Sequence, residues 1–180
     1  TLDYYNVDLI GGDTTKGALL TLTVTAQGIL SKGKALCRHS AKVGDWIYVS
    51  GSIGDSAGGL QLLKENQSKK IDLTHILQRS QCGAVINLDN LPLSPQLISV
   101  FGYEQAERFA LSGGEDYELC FTVPDHNITK LERALTHLGV NYTCVGQVRA
   151  ISPNNPKRVI FQRNNEVVEL EVRAGYDHFQ

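Results

Sequence analysis

The order of strand-like and helix-like patterns along the chain is the feature that most limits its fold. Residues 18–29 alternate apolar and polar side chains, as a half-buried strand does, whereas the apolar residues after Gly54 recur at helical spacing. Further strands are predicted over 45–50, 84–88, 117–123, 141–148, 159–162 and 167–172, and further helices begin near 72, 95, 103 and 125. This irregular order, which includes a hairpin, favours an α+β fold with a mixed β-sheet covered by helices on one face.

Several helix boundaries carry their own residue signals. Asp55 or Ser56 is a candidate to cap the first helix, because short polar side chains accept hydrogen bonds from the backbone N–H groups at a helix start. Ser94 and Pro95 fit the N-cap and first position of the third helix. Gly83 is a candidate C-cap for the second helix.

Bulk composition excludes several classes of function. The chain has 180 residues, 42% of them hydrophobic, and a net charge of −2, so it suits one domain with a buried core. It has neither the basic patch of a nucleic-acid-binding protein nor an apolar run of about 20 residues, and we expect neither nucleic-acid nor membrane partners. The four cysteines lack metal-ligand spacing and three lie in apolar surroundings, which fits a reducing cytoplasmic compartment.

A glycine-rich motif, Gly-Gly-Asp-Thr-Thr-Lys-Gly, occupies residues 11–17. Glycines let the backbone approach a ligand closely, and the carboxylate of Asp13 suits a magnesium ion that holds a phosphate. A tight Gly–Asp turn between two strands explains the same seven residues without any ligand. Both interpretations stay open on this motif alone.

Four blocks of sequence together resemble a known family. They are residues 11–17, Leu-Cys-Arg-His-Ser-Ala-Lys-Val-Gly-Asp at 36–45, Tyr-Val-Ser-Gly-Ser-Ile-Gly-Asp-Ser-Ala-Gly-Gly-Leu at 48–60, and Leu-Ser-Gly-Gly-Glu-Asp-Tyr-Glu-Leu at 111–119. With Gly-Tyr-Asp-His-Phe at 175–179, they resemble the bacterial thiamine-monophosphate kinases, which belong to the superfamily of aminoimidazole ribonucleotide synthetase and selenophosphate synthetase. The resemblance covers nearly the whole chain, and 111–119 is its most specific block.

The resemblance implies that residues 1–180 form the C-terminal domain of the aminoimidazole ribonucleotide synthetase-like fold. The N-terminal half of such a kinase, with most of the acidic metal ligands and much of the dimer interface, has no counterpart in the sequence. The chain has no methionine and begins directly before the glycine-rich motif, so we expect an N-terminal portion to be missing. The family also has a longer stretch where Lys70 meets Ile71 here, so we expect a missing internal segment at this junction; a genuine deletion is the alternative.

The activity that the resemblance implies is transfer of the ATP γ-phosphate onto the phosphate of thiamine monophosphate, which gives thiamine diphosphate. Such a transfer requires in-line alignment and charge neutralisation rather than a covalent phosphoenzyme, and magnesium ions screen the two anions. The implied protein is a cytoplasmic homodimer with ATP as co-substrate and Mg²⁺ as cofactor. The fragment alone is expected to be inactive.

Five residues match ligand-contacting positions of the family. Gly12 and Asp13 correspond to ATP contacts, and Asp13 also to a magnesium ligand. Arg38 corresponds to an arginine on ATP, where a guanidinium suits bidentate phosphate contact. Glu115 and Tyr176 correspond to contacts of thiamine monophosphate, whose thiazolium is a cation that an aromatic face stabilises. Without a ligand, Arg38 is a surface arginine, Glu115 a strand-entry carboxylate and Tyr176 a packed terminal tyrosine.

Two further features have mainly structural interpretations. Asp116 is expected either to be structural or to lie behind the ligand-contacting residues. The block at 51–59 lacks the Lys-Ser/Thr of a P-loop, which favours tight packing at a helix start. Two other functions stay open. One is another ATP-dependent enzyme of the same superfamily, and the other, if the chain is truly 180 residues long, is a non-catalytic nucleotide-binding or dimerisation module.

Overall fold

The computed structural model describes residues 7–19, 21, 23–63, 73–114, 116–153 and 158–170. The chain divides into two units, residues 1–35 and residues 36–180. In the first unit, the described residues are exposed and form neither helix nor strand.

The strand expected over 18–29 is therefore wrong for the described part of that stretch, which leaves out residues 20 and 22. An alternating pattern becomes a strand only when its backbone pairs with a neighbouring strand. The described residues of the first unit supply no such neighbour.

Six strands in the described part of the second unit form one mixed sheet. They are β1 (Trp46–Ser50), β2 (Gly83–Asn87), β3 (Cys120–Val123), β4 (Tyr142–Arg149), β5 (Val159–Arg163) and β6 (Glu166–Val168). Their order across the sheet is β3-β1-β4-β2-β5-β6. The pair β2–β5 is parallel, and the other four pairs are antiparallel.

Five α-helices accompany this sheet among the described residues. They are α1 (Asp55–Leu63), α2 (Leu73–Arg79), α3 (Pro95–Phe101), α4 (Tyr103–Ser112) and α5 (Ile128–Leu138). Ile47 and Val49, two positions apart on β1, point to the same side of the sheet and belong with Ile86 to the main core cluster. A second cluster joins Leu97 of α3 to Phe109 of α4. The expected α+β class with a mixed sheet is confirmed.

The start of α1 packs tightly against its neighbours at two glycines. Gly54 has a φ of +95°, and a Cβ atom there would lie 2.8 Å from the backbone nitrogen of Ala110. A Cβ atom at Gly58 would lie 2.4 Å from Cδ1 of Leu97. The tight packing expected for the block at 51–59 is therefore confirmed.

The predicted start of α3 is confirmed, and the predicted cap at the end of α2 is wrong. Ser94 caps α3, because its Oγ accepts a hydrogen bond from the backbone N–H of Leu97 at 3.0 Å, and Pro95 begins the helix. Gly83 does not cap α2; it begins β2, where a Cβ atom would lie 2.8 Å from the carbonyl oxygen of Arg158. Glycine is needed at position 83 because a neighbouring backbone approaches closely, and not because a helix ends there.

In the second half of the chain, one predicted strand is shorter than expected, and the predicted hairpin forms. The strand expected over 117–123 begins only at Cys120. The predicted hairpin forms between β5 and β6, and Asn164 and Asn165 turn the chain with φ values of +51° and +63°. Asparagine tolerates this left-handed conformation better than most residues.

Across the described ranges, no helix is long and apolar enough to span a membrane.

Candidate functional site

Asp116 joins two of the four sequence blocks, 111–119 and 48–60. Its Oδ2 and Oδ1 atoms accept hydrogen bonds from the backbone N–H groups of Gly54 and Ser56, each at 2.8 Å. The first N–H groups of a helix have no acceptor within the helix, and its N-terminus favours a negative charge. Asp116 therefore caps α1 in place of Asp55 or Ser56, and a structural role for it is confirmed.

Asp55 ties the start of α1 to the start of α3. Its Oδ2 accepts a hydrogen bond from the hydroxyl of Ser52 at 2.7 Å, and its Oδ1 accepts one from the hydroxyl of Ser94 at 2.5 Å. Because Ser94 is also the N-cap of α3, one carboxylate fixes the relative positions of two helix starts.

Glu118 is anchored at the end of β1. The hydroxyl of Ser50 donates a hydrogen bond to its Oε2, and the same hydroxyl accepts one from the backbone N–H of Leu119 at 2.9 Å. Gly51 has a φ of +56°, and a Cβ atom there would lie only 2.0 Å from Oε1 of Glu118. The carboxylate thus occupies the space that any other residue at 51 would need.

Tyr117 stands between these two anchored carboxylates in a strained conformation. Its φ is +57°, and its side chain is 95% exposed. A left-handed backbone at a bulky residue costs about 1–3 kcal/mol and persists only where the surroundings impose it. Asp116 and Glu118, held on either side, supply that constraint.

An apolar cavity of about 120 Å³ lies between the sheet and the loop at 113–118. The sheet contributes seven apolar residues to its lining, namely Ile47, Val49, Ile86, Cys120, Val145, Val159 and Phe161. Ala110 and Leu111 at the end of α4 and Tyr117 in the loop line it as well. Because Tyr117 is almost wholly exposed, the cavity reaches solvent beside this residue.

An ion pair fixes α4, which leads into this loop, to the end of β5. Nη2 of Arg163 lies 2.5 and 2.6 Å from the two carboxylate oxygens of Glu107, which is 5% exposed. Hydrogen bonding to this carboxylate raises the pKa of Arg163 above its usual value. Arginine is charged at every physiological pH, so Glu107 keeps a charged partner.

Gly12 and Asp13 lie in the first unit, and both are exposed. The backbone N–H of Thr14 donates to Oδ1 of Asp13 at 2.7 Å, which leaves Oδ2 for other partners. Apart from its two chain neighbours, no described residue has an atom within 4 Å of a Cβ atom built on Gly12. Among the residues that the structure describes, no three His, Cys, Asp or Glu side chains form a group that could hold a metal ion.

Arg38 lies in the second unit and is exposed. Its carbonyl oxygen accepts a hydrogen bond from the hydroxyl of Ser80 at 2.9 Å, which places the backbone next to the end of α2. Glu115 and Tyr176 lie outside the described residues. The ligand contacts expected of Arg38, Glu115 and Tyr176, like those of Gly12 and Asp13, stay predictions.

No family model matches the chain. Among solved structures, E. coli HypE, a hydrogenase maturation protein, aligns with 83% of this chain and 56% of its own, with a TM-score of 0.62 and 16% identity. The thiamine-monophosphate kinase from Stenotrophomonas maltophilia aligns with 77% of this chain and 56% of its own, with a TM-score of 0.63 and 26% identity. The mixed sheet and its packed helices therefore define a protein of the aminoimidazole ribonucleotide synthetase-like fold.

Curated relatives narrow this class to one family. The thiamine-monophosphate kinase of Haemophilus influenzae is 40% identical over 219 residues, which cover 100% of this chain and 66% of the relative. That of E. coli K12 is 42% identical over 218 residues, which cover 99% and 65%. AaThiL, solved in complex with AMPPCP and TMP, aligns with 74% of this chain and 52% of its own, with a TM-score of 0.53 and 25% identity. The chain belongs to the thiamine-monophosphate kinase family and spans about two thirds of the length of these curated relatives.

The relatives also carry residues that this chain lacks. The alignment with the Haemophilus influenzae kinase extends over 219 residues, whereas the chain has 180, a difference of 39. The position of these residues relative to Lys70 and Ile71 stays a prediction, because 64–72 lie outside the described residues.

Proposed function

We propose that the protein to which this chain belongs phosphorylates thiamine monophosphate with ATP and releases thiamine diphosphate. The observation that carries the proposal is the 40% identity, over the whole chain, with a thiamine-monophosphate kinase. The complex of AaThiL with AMPPCP, an ATP analogue, and TMP supports the same pair of substrates. The proposal concerns the whole protein, because the chain spans only about two thirds of its curated relatives.

The proposed role of Asp13 is to hold Mg²⁺ beside the phosphates of ATP. Magnesium in phosphoryl-transfer sites takes one or two carboxylates and fills its other positions with phosphate oxygens and water. A single exposed carboxylate with one oxygen left for further partners fits that pattern, and Gly12 leaves the neighbouring backbone open. When bound, the ion neutralises charge on the transferred phosphoryl group.

Arg38 is proposed to contact an ATP phosphate, and Glu115 and Tyr176 to contact thiamine monophosphate. No residue forms a covalent intermediate in this account, because alignment and charge neutralisation suffice for direct transfer. We further propose that the protein acts as a homodimer in the cytoplasm.

Ligand-induced thermal protection tests the substrate assignment. A ligand that binds only the folded state raises the melting temperature, so thiamine monophosphate and ATP with Mg²⁺ should each protect the full-length protein. Tyr176→Ala should weaken protection by thiamine monophosphate more than protection by ATP, and Tyr103→Ala, an exposed tyrosine on α4, serves as the control. Equal loss of protection by both ligands in Tyr176→Ala would contradict the proposed contact.

A second candidate function is a non-catalytic nucleotide-binding module. It is favoured by one observation: 39 residues of the aligned relative have no counterpart here. The intact mass of the purified protein separates the candidates. A mass above 19.7 kDa supports the kinase, whereas a mass of 19.7 kDa, that of the 180 residues, supports the module.

A further inference from the structure

Tyr117 combines a left-handed backbone with an exposed aromatic ring. Among the described residues, the other non-glycine positions with positive φ are Gln81, Asn164 and Asn165. The two asparagines form the β5–β6 turn, where a left-handed backbone is a requirement of the hairpin. No tight hairpin turn requires this conformation at Tyr117, because the described strand that follows begins three residues later, at Cys120.

The residues on either side hold Tyr117 in this conformation. Asp116 accepts two backbone hydrogen bonds at the start of α1, and Glu118 accepts one from the hydroxyl of Ser50 at the end of β1. Both anchors belong to elements that are packed in the core, so the backbone between them cannot relax without breaking hydrogen bonds. The loop therefore presents the tyrosine ring at a fixed place.

The ring is held away from the core and yet beside an apolar space. Its 95% exposure means that intramolecular packing does not explain its position. Tyr117 nevertheless lines the cavity that Val49, Ile86 and Phe161 line from the sheet side. An aromatic ring at the edge of a mainly apolar cavity is the arrangement by which proteins hold flat organic ligands.

We propose that Tyr117 is a substrate-contacting residue whose ring packs on a heteroaromatic ring of the phosphate acceptor. This inference rests on the proposed function, which gives the acceptor a cationic thiazolium and an aminopyrimidine. Tyr117 follows Glu115, the proposed acceptor contact, by two residues. The strained loop then contributes to specificity for the acceptor, because it turns an aromatic ring face toward it. The loop plays no part in holding ATP.

Steady-state kinetics of the full-length protein with four variants test this inference. Tyr117→Ala removes the ring and keeps the strain, Tyr117→Gly removes both, and Tyr117→Phe keeps the ring. Tyr103→Ala controls for loss of an exposed tyrosine, and Asn165→Ala controls for a side chain at positive φ. The measurements are KM for thiamine monophosphate, KM for ATP and the melting temperature without ligand.

The expected result is a rise in KM for thiamine monophosphate of roughly 2- to 25-fold in Tyr117→Ala and Tyr117→Gly, the range of one aromatic–cation contact. KM for ATP should not change, and Tyr117→Phe should behave as the wild type. Tyr117→Gly should melt at a higher temperature than Tyr117→Ala, because it relieves the left-handed strain.

Two results would overturn the inference. If the wild type forms thiamine diphosphate and Tyr117→Ala keeps its KM for thiamine monophosphate, the ring does not contact the phosphate acceptor, whatever the melting temperature of the variant. If the wild type neither forms thiamine diphosphate nor binds thiamine monophosphate, the proposed function fails and this inference fails with it. The wild-type measurement therefore separates the two failures.

Discussion

Removal of the Asp116 carboxylate tests whether contact between two distant motifs stabilises the second unit. Asp116→Ala deprives the backbone N–H groups of Gly54 and Ser56 of their acceptor. Loss of an N-cap costs about 0.5–2 kcal/mol, and a hydrogen bond to a charged group contributes about 1.5–3 kcal/mol. Because this helix start is only partly buried, water forms hydrogen bonds with the two N–H groups in the variant and offsets part of the lost stability. We therefore expect Asp116→Ala to lower the free energy of unfolding by about 2–3 kcal/mol.

Thermal and urea unfolding, followed by circular dichroism, measure this change. For a chain of this size the loss corresponds to a fall in melting temperature of about 4–12 °C. Asp116→Asn keeps one acceptor but turns an NH₂ group toward a backbone N–H, so it should recover only part of the loss. Glu104→Ala is the matched control, because Glu104 forms an exposed pair with Arg108 that contributes less than about 0.5 kcal/mol. Equal stability of Asp116→Ala and Glu104→Ala would refute the capping role.

Two further outcomes follow from packing and burial. Gly54→Ala should destabilise the protein by about 2–4 kcal/mol in urea unfolding, because its Cβ atom would meet the backbone of Ala110 at a position with positive φ; a wild-type unfolding midpoint would contradict this packing. Burial raises the pKa of the Cys82 thiol, so iodoacetamide at pH 8 should label it in urea but not in the native protein. Unfolded Cys82 ionises at a lower pH than folded Cys82, so stability should fall as the pH rises above about 8.5. If iodoacetamide labelled Cys82 as fast in the native protein as in the unfolded protein, the thiol would be accessible, which would contradict its burial.

The sequence was sufficient to predict those elements whose signals lie in a few adjacent residues. The Ser94–Pro95 pair specified the start of α3, and the Asn164–Asn165 pair allowed the tight turn between β5 and β6, because each signal acts within one turn of chain. The strand expected over 18–29 failed for the opposite reason. Alternation indicates which face a strand would bury but does not supply the neighbouring strand that its backbone needs.

The candidate site was harder to predict because its contacts join distant residues. Asp116 caps a helix that begins 61 positions earlier, at Asp55, so the local candidates Asp55 and Ser56 were wrong although an acidic cap was indeed needed. Glu118 anchors to Ser50 across a similar separation. The left-handed backbone of Tyr117 has no sequence signal at all, since it results from these two long-range anchors and not from the preference of a tyrosine.

Product formation by the purified full-length protein tests the central claim most directly. The protein is incubated with thiamine monophosphate, ATP and Mg²⁺, and thiamine diphosphate and ADP are separated and quantified by chromatography. The account predicts equal amounts of the two products, no products after chelation of Mg²⁺, and a large loss of rate in Asp13→Asn. A folded protein that binds ATP and Mg²⁺ but forms no thiamine diphosphate would contradict it.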